Sequence, residues 1–184
     1  MLNKKSSLAL VIQVRNASKR FPFKIMKDLS GKPMIERILE RVKKVKKVKK
    51  IILATTKKKE DAIFVKIAAR YNVSCYRGSE NDLIDRHYQA VKNKNFDHIL
   101  RLPSDNAIPD PNEYDRLIDY HIKSENDFSS NLCNFMGNGY PDGIGVEIYA
   151  INSLKKIWKR EKRKKYREHM TLCFYDYRKD KKNL

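Results

Sequence analysis

Between Leu8 and Val14 the chain is apolar except for Gln13, and the run does not alternate. An apolar run of strand length without alternation marks a strand covered on both faces, as in a parallel sheet packed between helices. Over the ten positions that follow, the chain turns cationic and polar, with Arg15, Asn16, Ser18, Lys19, Arg20 and Lys24. Open α/β sheets bind ligands outside the carboxyl ends of their strands, so this loop is a candidate phosphate-binding loop. A solvated basic loop behind a core strand is the other reading of the stretch alone.

The rest of the chain repeats the pattern of short apolar runs and longer amphipathic segments. Asp28 to Pro33 reads as a turn, with Pro33 at the first helical position, where a missing amide costs nothing. Met34, Ile35, Ile38, Leu39, Val42, Val45 and Val48 then recur at helical spacing. The lysine-rich run that follows is expected to finish this helix, with cations at its negative end. Strands are expected at 51–55, 73–76, 98–102, 127–132 and 146–151. Helices are expected at 61–71, through Leu83 to Val91 with Ser79 as cap, from Pro111 to His121, after a capping Asn152, and from Arg167 to Tyr177. Strands alternating with helices of this length imply βαβ units in one α/β domain with a largely parallel sheet.

Composition narrows the function less than the pattern does. The formal charge of +19, from 41 Lys and Arg against 22 Asp and Glu, favours polyanionic partners. Much of the excess is lysine spread along helix faces, and no aromatic residues interleave with the lysine run for base stacking, so nucleic acid is an unfavoured partner. Cys75, Cys133 and Cys173 show neither metal-ligand spacing nor a disulfide framework, which places the protein in a reducing cytoplasm. The first apolar run is too short for a membrane span or for the apolar stretch of a signal peptide.

If the sheet is parallel, the loops at 15–24, 55–56, 77–85 and 103–110 share one edge. The loops at 15–24 and 77–85 offer cations, Thr55-Thr56 offers hydroxyls, and the fourth offers Asp105 directly after its strand. A lone carboxylate there suits Mg²⁺ held jointly with nucleotide phosphates; a turn or cap residue is the plainer reading. Neither a Walker sequence nor a Gly-x-Gly-x-x-Gly motif follows the first strand, which disfavours P-loop and dinucleotide-binding enzymes. No Ser, His and Asp spacing supports a hydrolase triad.

Seven motifs in order, IQVRNASKRFPFK, LSGKPMIERILERV, IILATT, YRGSENDLIDRHYQA, ILRLPSDNAIPDP, YPDGIGVEIYA and REHMT, resemble the cytidylyltransferase superfamily. The branch they resemble most is the spore-coat polysaccharide biosynthesis F type, related to acylneuraminate and ketodeoxyoctonate cytidylyltransferases. The resemblance implies a three-layer αβα sandwich of the Rossmann-like nucleotide-diphospho-sugar transferase fold, with a mostly parallel mixed sheet. It also implies a reaction of CTP with an acid sugar to give a CMP-sugar and pyrophosphate for surface polysaccharide, with Mg²⁺ as cofactor. By motif, Arg15, Lys24 and Asp105 are the expected catalytic residues, with Asp105 holding the metal. Arg15, Asn16, Ser18, Arg20, Lys24, Thr55 and Ser104 would bind nucleotide, and Asp85, Arg86, Asp142, Glu147, Arg167 and His169 would meet the sugar. The resemblance also implies a homodimer through the region after Asp127, with Phe135, Met136 and Tyr149 as apolar contacts, and a monomer is the alternative.

Three departures from the family pattern are visible. The post-strand motif reads Pro103-Ser104-Asp105-Asn106-Ala107 where a Thr-Gly-Asp-Cys-Pro type is usual, which is expected to loosen the loop. Gly145 stands where an Asp is frequent. The chain is expected to be one nucleotidyltransferase domain over residues 1–184 without the family's last strand and helix, so that either the chain is truncated, or the metal site is incomplete, or another carboxylate such as Asp142 or Glu147 replaces the second metal ligand. These departures motivate the alternative of a degenerate relative that binds nucleotide or a partner without turnover.

Overall fold

The computed structural model describes residues 6–17, 21–132 and 139–177. Six strands form one mixed sheet: β1 (Leu8–Gln13), β2 (Lys50–Thr56), β3 (Ser74–Gly78), β4 (His98–Pro103), β5 (Phe128–Ser130) and β6 (Glu147–Ala150). Their spatial order is β3-β2-β1-β4-β6-β5. β1 pairs in parallel with β2 and β4, and β2 with β3, while β6 runs antiparallel to both β4 and β5.

Period-two alternation divides each buried strand between two cores. Leu8, Leu10 and Ile12 of β1 face one layer, formed by α1 (Met34–Val42), α2 (Ile63–Arg70) and α4 (Pro111–Lys123). Ala9 and Val11 face the other, where α3 (Leu83–Val91), α5 (Ile151–Arg160) and α7 (Met170–Tyr177) pack. A short helix, α6 (Lys164–Glu168), precedes α7. This is the αβα sandwich that the motifs imply.

Several boundaries differ from the sequence reading. α1 starts at Met34 with Pro33 as its N-cap residue and ends at Val42. The lysine run beyond it is a series of turns and bends, because the Asp115 carboxylate of α4 accepts the amides of Lys46 and Lys47 at 3.1 and 3.0 Å. The cap of α3 is Asp82, whose side chain accepts from the Asp85 amide, while Ser79 Oγ accepts from the Asp82 amide one step earlier. α5 begins at Ile151, so Asn152 lies inside the helix and caps nothing. The expected terminal helix is two, broken at His169.

The order β2-β1-β4 makes β1 a switch point: connections leave it toward β2 on one side and return at β4 on the other. The crevice outside the carboxyl ends of β1 and β4 is where such sheets take their ligands. Among the described residues, no helix is long and apolar enough to cross a membrane.

Candidate active site

A cleft of about 840 Å³ opens at that crevice, within the size range of small-molecule sites. Gln13 and Arg15 come from the end of β1, Lys58 from the loop after β2, Arg86 from α3, Arg101 from β4, and His169 from the break between α6 and α7. Two smaller chambers join it. One of about 180 Å³ shares Gln13, Arg15 and Ala17 and adds Lys24, Ser104 and Asp105. The other, of about 450 Å³, shares Arg101 and His169 and adds Asn106, Asp142, Glu147 and Tyr175 among others.

The loop after β1 is held by a buried carboxylate. Asp61 Oδ1 accepts the Asn16 amide at 2.7 Å, and its Oδ2 accepts the Thr56 hydroxyl. Asn16 Nδ2 donates to the Glu60 carbonyl at 2.6 Å, and the Phe23 amide donates to the Asn16 carbonyl at 3.1 Å, closing the loop on itself. Asp61 is fully buried, so sequence position alone, at the start of a helix, concealed its role.

Arg86 is 2% exposed and has no ion pair among the described residues. Its Nη1 donates to the Ser79 carbonyl at 2.8 Å, while its Nε has no partner. Burial, and then the charge of Arg15, pulls this guanidinium down to about 10. Gly78 makes room for it: a Cβ there would stand 2.6 Å from the Tyr76 ring and 3.1 Å from Arg86 Cγ. Beside it, burial and the neighbouring charges of Arg101 and Arg86 keep His87 well below the ordinary imidazole range, and neutral.

Arg101 forms the floor between the large cleft and the 450 Å³ chamber. It lies directly opposite Glu147 across the β4–β6 ladder, and its Nη1 reaches Glu147 Oε2 at 2.6 Å. Gln13 Oε1 accepts from its Nε and Nη2 at 3.2 and 3.0 Å. The hydroxyls of Thr171 and Tyr149 also donate to Glu147 Oε2. Burial opposes the Arg101 charge, but the Glu147 carboxylate and the Tyr149 hydroxyl outweigh it and push the guanidinium above its ordinary range. Motif reading missed Arg101, Lys58 and Phe23; the visible signal for the first was a charge inside the apolar strand HILRLP.

The expected site residues therefore divide. Arg15, Lys24, Ser104 and Asp105 come together around the smallest chamber, and Asn16, Arg86 and His169 line the largest. Thr55 is fully buried in β2 and lines none of the three, its hydroxyl without a partner. Ser18 and Arg20 lie outside the described residues, as do Phe135 and Met136.

Asp85 accepts Trp158 Nε1 at 2.8 Å and Gln89 Nε2 at 3.1 Å, tying α3 to α5 away from the chambers. Arg167 is spent on Asp82 and on the carbonyls of Trp158 and Glu161. Asp142 and Glu147 line a different chamber from Asp105, and Glu147 is committed to Arg101, so neither stands as a second ligand beside it. Tyr149 is buried under Glu147, which removes it from the expected dimer surface.

Both departures in the loops have a structural account. Asn106 is buried and donates Nδ2 to the Gly145 carbonyl at 2.7 Å, so the Asp105 loop is anchored rather than loosened. A Cβ on Gly145 would stand 2.5 Å from the Asn131 carbonyl oxygen, leaving no room for the carboxylate that is frequent there.

The model of the cytidylyltransferase family matches residues 9–183. A protein of Methanocaldococcus jannaschii described as uncharacterised is 36% identical over 166 residues, covering 90% of this chain and 66% of its own. The spore coat polysaccharide biosynthesis protein SpsF of Bacillus subtilis is 27% identical over 172 residues, covering 91% and 69%. A solved cytidylyltransferase from Leptospira borgpetersenii superposes with a TM-score of 0.83 at 30% identity, covering 90% of this chain and 69% of that one. The chain thus spans about two thirds of the length of the relatives it matches.

Proposed function

This chain belongs to the cytidylyltransferase family, and on that premise we propose that it transfers the cytidylyl group of CTP to a hydroxyl of an acid sugar. The observation that carries the reading is Arg86, a buried cation that among the described residues forms no ion pair, with Asp61 and Glu80 acting on it only at longer range, and that opens with Arg15 onto one cleft. A buried charge without a counter-ion is costly, and a polyphosphate supplies the missing anion.

In the proposed reaction the sugar oxygen attacks the α-phosphorus of CTP. The bond from that phosphorus to the bridging oxygen breaks, pyrophosphate leaves with the electron pair, and the hydroxyl proton passes to solvent. Charge grows on the bridging oxygen as the bond opens. Fixed cations near it need no reorganisation at that moment, which is where preorganised electrostatics lowers barriers. Arg15 and Lys24 are the side chains assigned to this task, and Ser104 to orienting the phosphates at the Asp105 end.

The residues at the smallest chamber fit Mg²⁺ in the manner usual for nucleotide enzymes. Asp105 is exposed at the head of β4 and takes part in no ion pair among the described residues. Among those residues no cluster of three or more His, Cys, Asp or Glu side chains is placed to hold an ion by itself. Mg²⁺ takes one or two protein carboxylates and completes its shell with phosphates and water. When bound, it would neutralise part of the triphosphate charge. Glu147 and Asp142 shape the second chamber, which is assigned to the sugar.

Pyrophosphate release from CTP with a panel of acid sugars tests the reading. Turnover is expected with Mg²⁺ and is expected to fall at least 100-fold in Asp105→Asn. CTP binding without turnover by any sugar would point instead to a degenerate binding protein. Failure to bind any nucleoside triphosphate would remove both.

A further inference from the structure

Five described residues other than glycine have positive φ: Phe23, Ser30, Asn72, Asn93 and Glu125. Asparagine and small polar residues adopt this region at little cost, whereas a bulky side chain there is a backbone outlier. Phe23, at φ 56° and ψ 19°, is the aromatic member of the set. It is also 51% exposed, so burial of its ring does not repay the conformation.

Nothing about the conformation is left to chance. The Phe23 amide donates to the Asn16 carbonyl at 3.1 Å, its own carbonyl accepts from the Met26 amide at 2.9 Å, and Asn16 is fixed by Asp61 and Glu60. Strain that the surroundings enforce is a mark of a functional position. The conformation places Phe23 on the wall of the large cleft, with Pro22 and Leu83 as apolar neighbours in the lining. Its neighbour Phe21 is engaged differently, with the Lys27 ammonium 5.8 Å from its ring centroid.

The cleft thus joins two kinds of surface. Arg15 and Arg86 offer charge to an anion, and Phe23 adds an aromatic side chain to the lining of the same cleft. A nucleotide has one anionic end and one planar end, and aromatic side chains bind bases by stacking. We propose that Phe23 is a stacking residue for the nucleobase, held over the cleft by a backbone conformation that the fold would otherwise shed. This rests on the reading of the cleft as a nucleoside triphosphate site.

Phe23→Gly separates the two halves of the proposal. Glycine accepts positive φ freely, so the variant's Tm is expected to rise by about 3 °C. Its Kd for CTP, measured by calorimetry, is expected to rise about tenfold, within the range of one lost stack. Its Kd for inorganic tripolyphosphate, which has no base, is expected to stay within twofold of wild type. Phe23→Trp keeps a ring and is expected to bind CTP within threefold of wild type.

Unchanged CTP affinity in Phe23→Gly would overturn the proposal while leaving the triphosphate reading intact. An equal loss for CTP and tripolyphosphate would overturn it too, since the ring would then act on the phosphate end. If wild type binds no nucleoside triphosphate, the reading beneath it falls and the proposal with it.

Discussion

Arg86 and Arg101 are the same residue type, buried in the walls of the same cleft, and their charges are handled in opposite ways. Arg101 meets Glu147 at 2.6 Å and donates to Gln13 Oε1 at 3.0 Å, so its charge is neutralised within the protein. Arg86 donates one hydrogen bond to a backbone carbonyl and keeps an unpartnered Nε. Burial pulls Arg86 down to about 10, while the carboxylate carries Arg101 the other way. A compensated buried cation holds a fold together; an uncompensated one holds a place for an anion that arrives later. The cleft's floor is therefore structural, and in the proposed function its wall is where the triphosphate binds.

The largest effect is expected at the compensated pair. Glu147→Gln keeps the side-chain volume but leaves Arg101 charged and buried without its counter-ion. Breaking a buried pair in this way costs about 3–5 kcal/mol, and denaturant unfolding of the variant checks it. Replacing both partners together, as Arg101→Met with Glu147→Leu, is expected to recover most of that stability, because no charge is then stranded. If the single and double variants were equally destabilised, the pair would not be the stabilising unit.

Arg86→Met is expected to reverse the pattern. The free protein loses one hydrogen bond and a buried charge with no partner, so its stability is expected to change by less than about 1 kcal/mol. Nucleotide affinity is expected to fall about 100-fold, the scale of a buried charge-assisted contact. Wild type at 100 Kd of CTP gains about 2.7 kcal/mol from binding, and the variant at the same concentration should gain little. A large stability loss in the free variant would place Arg86 in the same class as Arg101 and break the distinction.

An acid limb in the stability curve sharpens the comparison further, since neither arginine titrates below neutral pH. His121 is buried in α4, its Nδ1 at 2.9 Å from Ser129 Oγ and its Nε2 at 3.1 Å from His98 Nδ1. Burial, with the charge of His98 adding to it, pushes His121 down to about 4. The unfolded chain, with an ordinary imidazole, therefore binds more protons between about pH 6.5 and 4. The stability from a neutral His121 is fully present above about pH 6.5 and is lost as pH falls through that window, by about 3 kcal/mol. Urea titrations across pH 4–7 check this, and His121→Asn is expected to flatten the curve. A curve equally steep in that variant would mean that His121 does not set the acid limb.

The two arginines also show what could be read in the sequence. Arg86 was legible only through the family resemblance, which assigned it to the substrate; it lies one residue beyond the 77–85 loop that a parallel sheet brings to the common edge. Arg15, Lys24 and Asp105 converge for the same topological reason, although they are far apart in sequence. Arg101 was hidden inside a strand: its partner is 46 residues away, and only the antiparallel register of β4 and β6 places Glu147 opposite it. Asp61 was hidden likewise, because a helix-start Asp looks alike whether it faces water or the underside of a loop. Caps were misplaced where neighbouring acceptors compete, as Ser79 and Asp82 do. The lysine run after Val42 kept a helical period without being helix, since the decisive acceptor, Asp115, belongs to another element.

The smallest effect is expected where motif and geometry disagree. Asp85 lies next to Arg86 in the chain, and the pair was assigned to the substrate together. A helix turns about 100° per residue, so adjacent side chains point apart, and while Arg86 enters the cleft Asp85 turns to Trp158 and Gln89. Asn at this position retains a carbonyl oxygen that can accept from Trp158 Nε1. Asp85→Asn is therefore expected to leave CTP affinity and turnover within about twofold of wild type and to cost less than about 1 kcal/mol of stability. Asp85→Ala, which removes the acceptor and leaves a half-buried indole donor with a poorer partner, is expected to cost about 1 kcal/mol with the same unchanged affinity. Steady-state kinetics beside denaturant unfolding separates the outcomes. A loss of turnover in Asp85→Asn without a loss of stability would return Asp85 to the site, and would mean that α3 rotates when the cleft is filled.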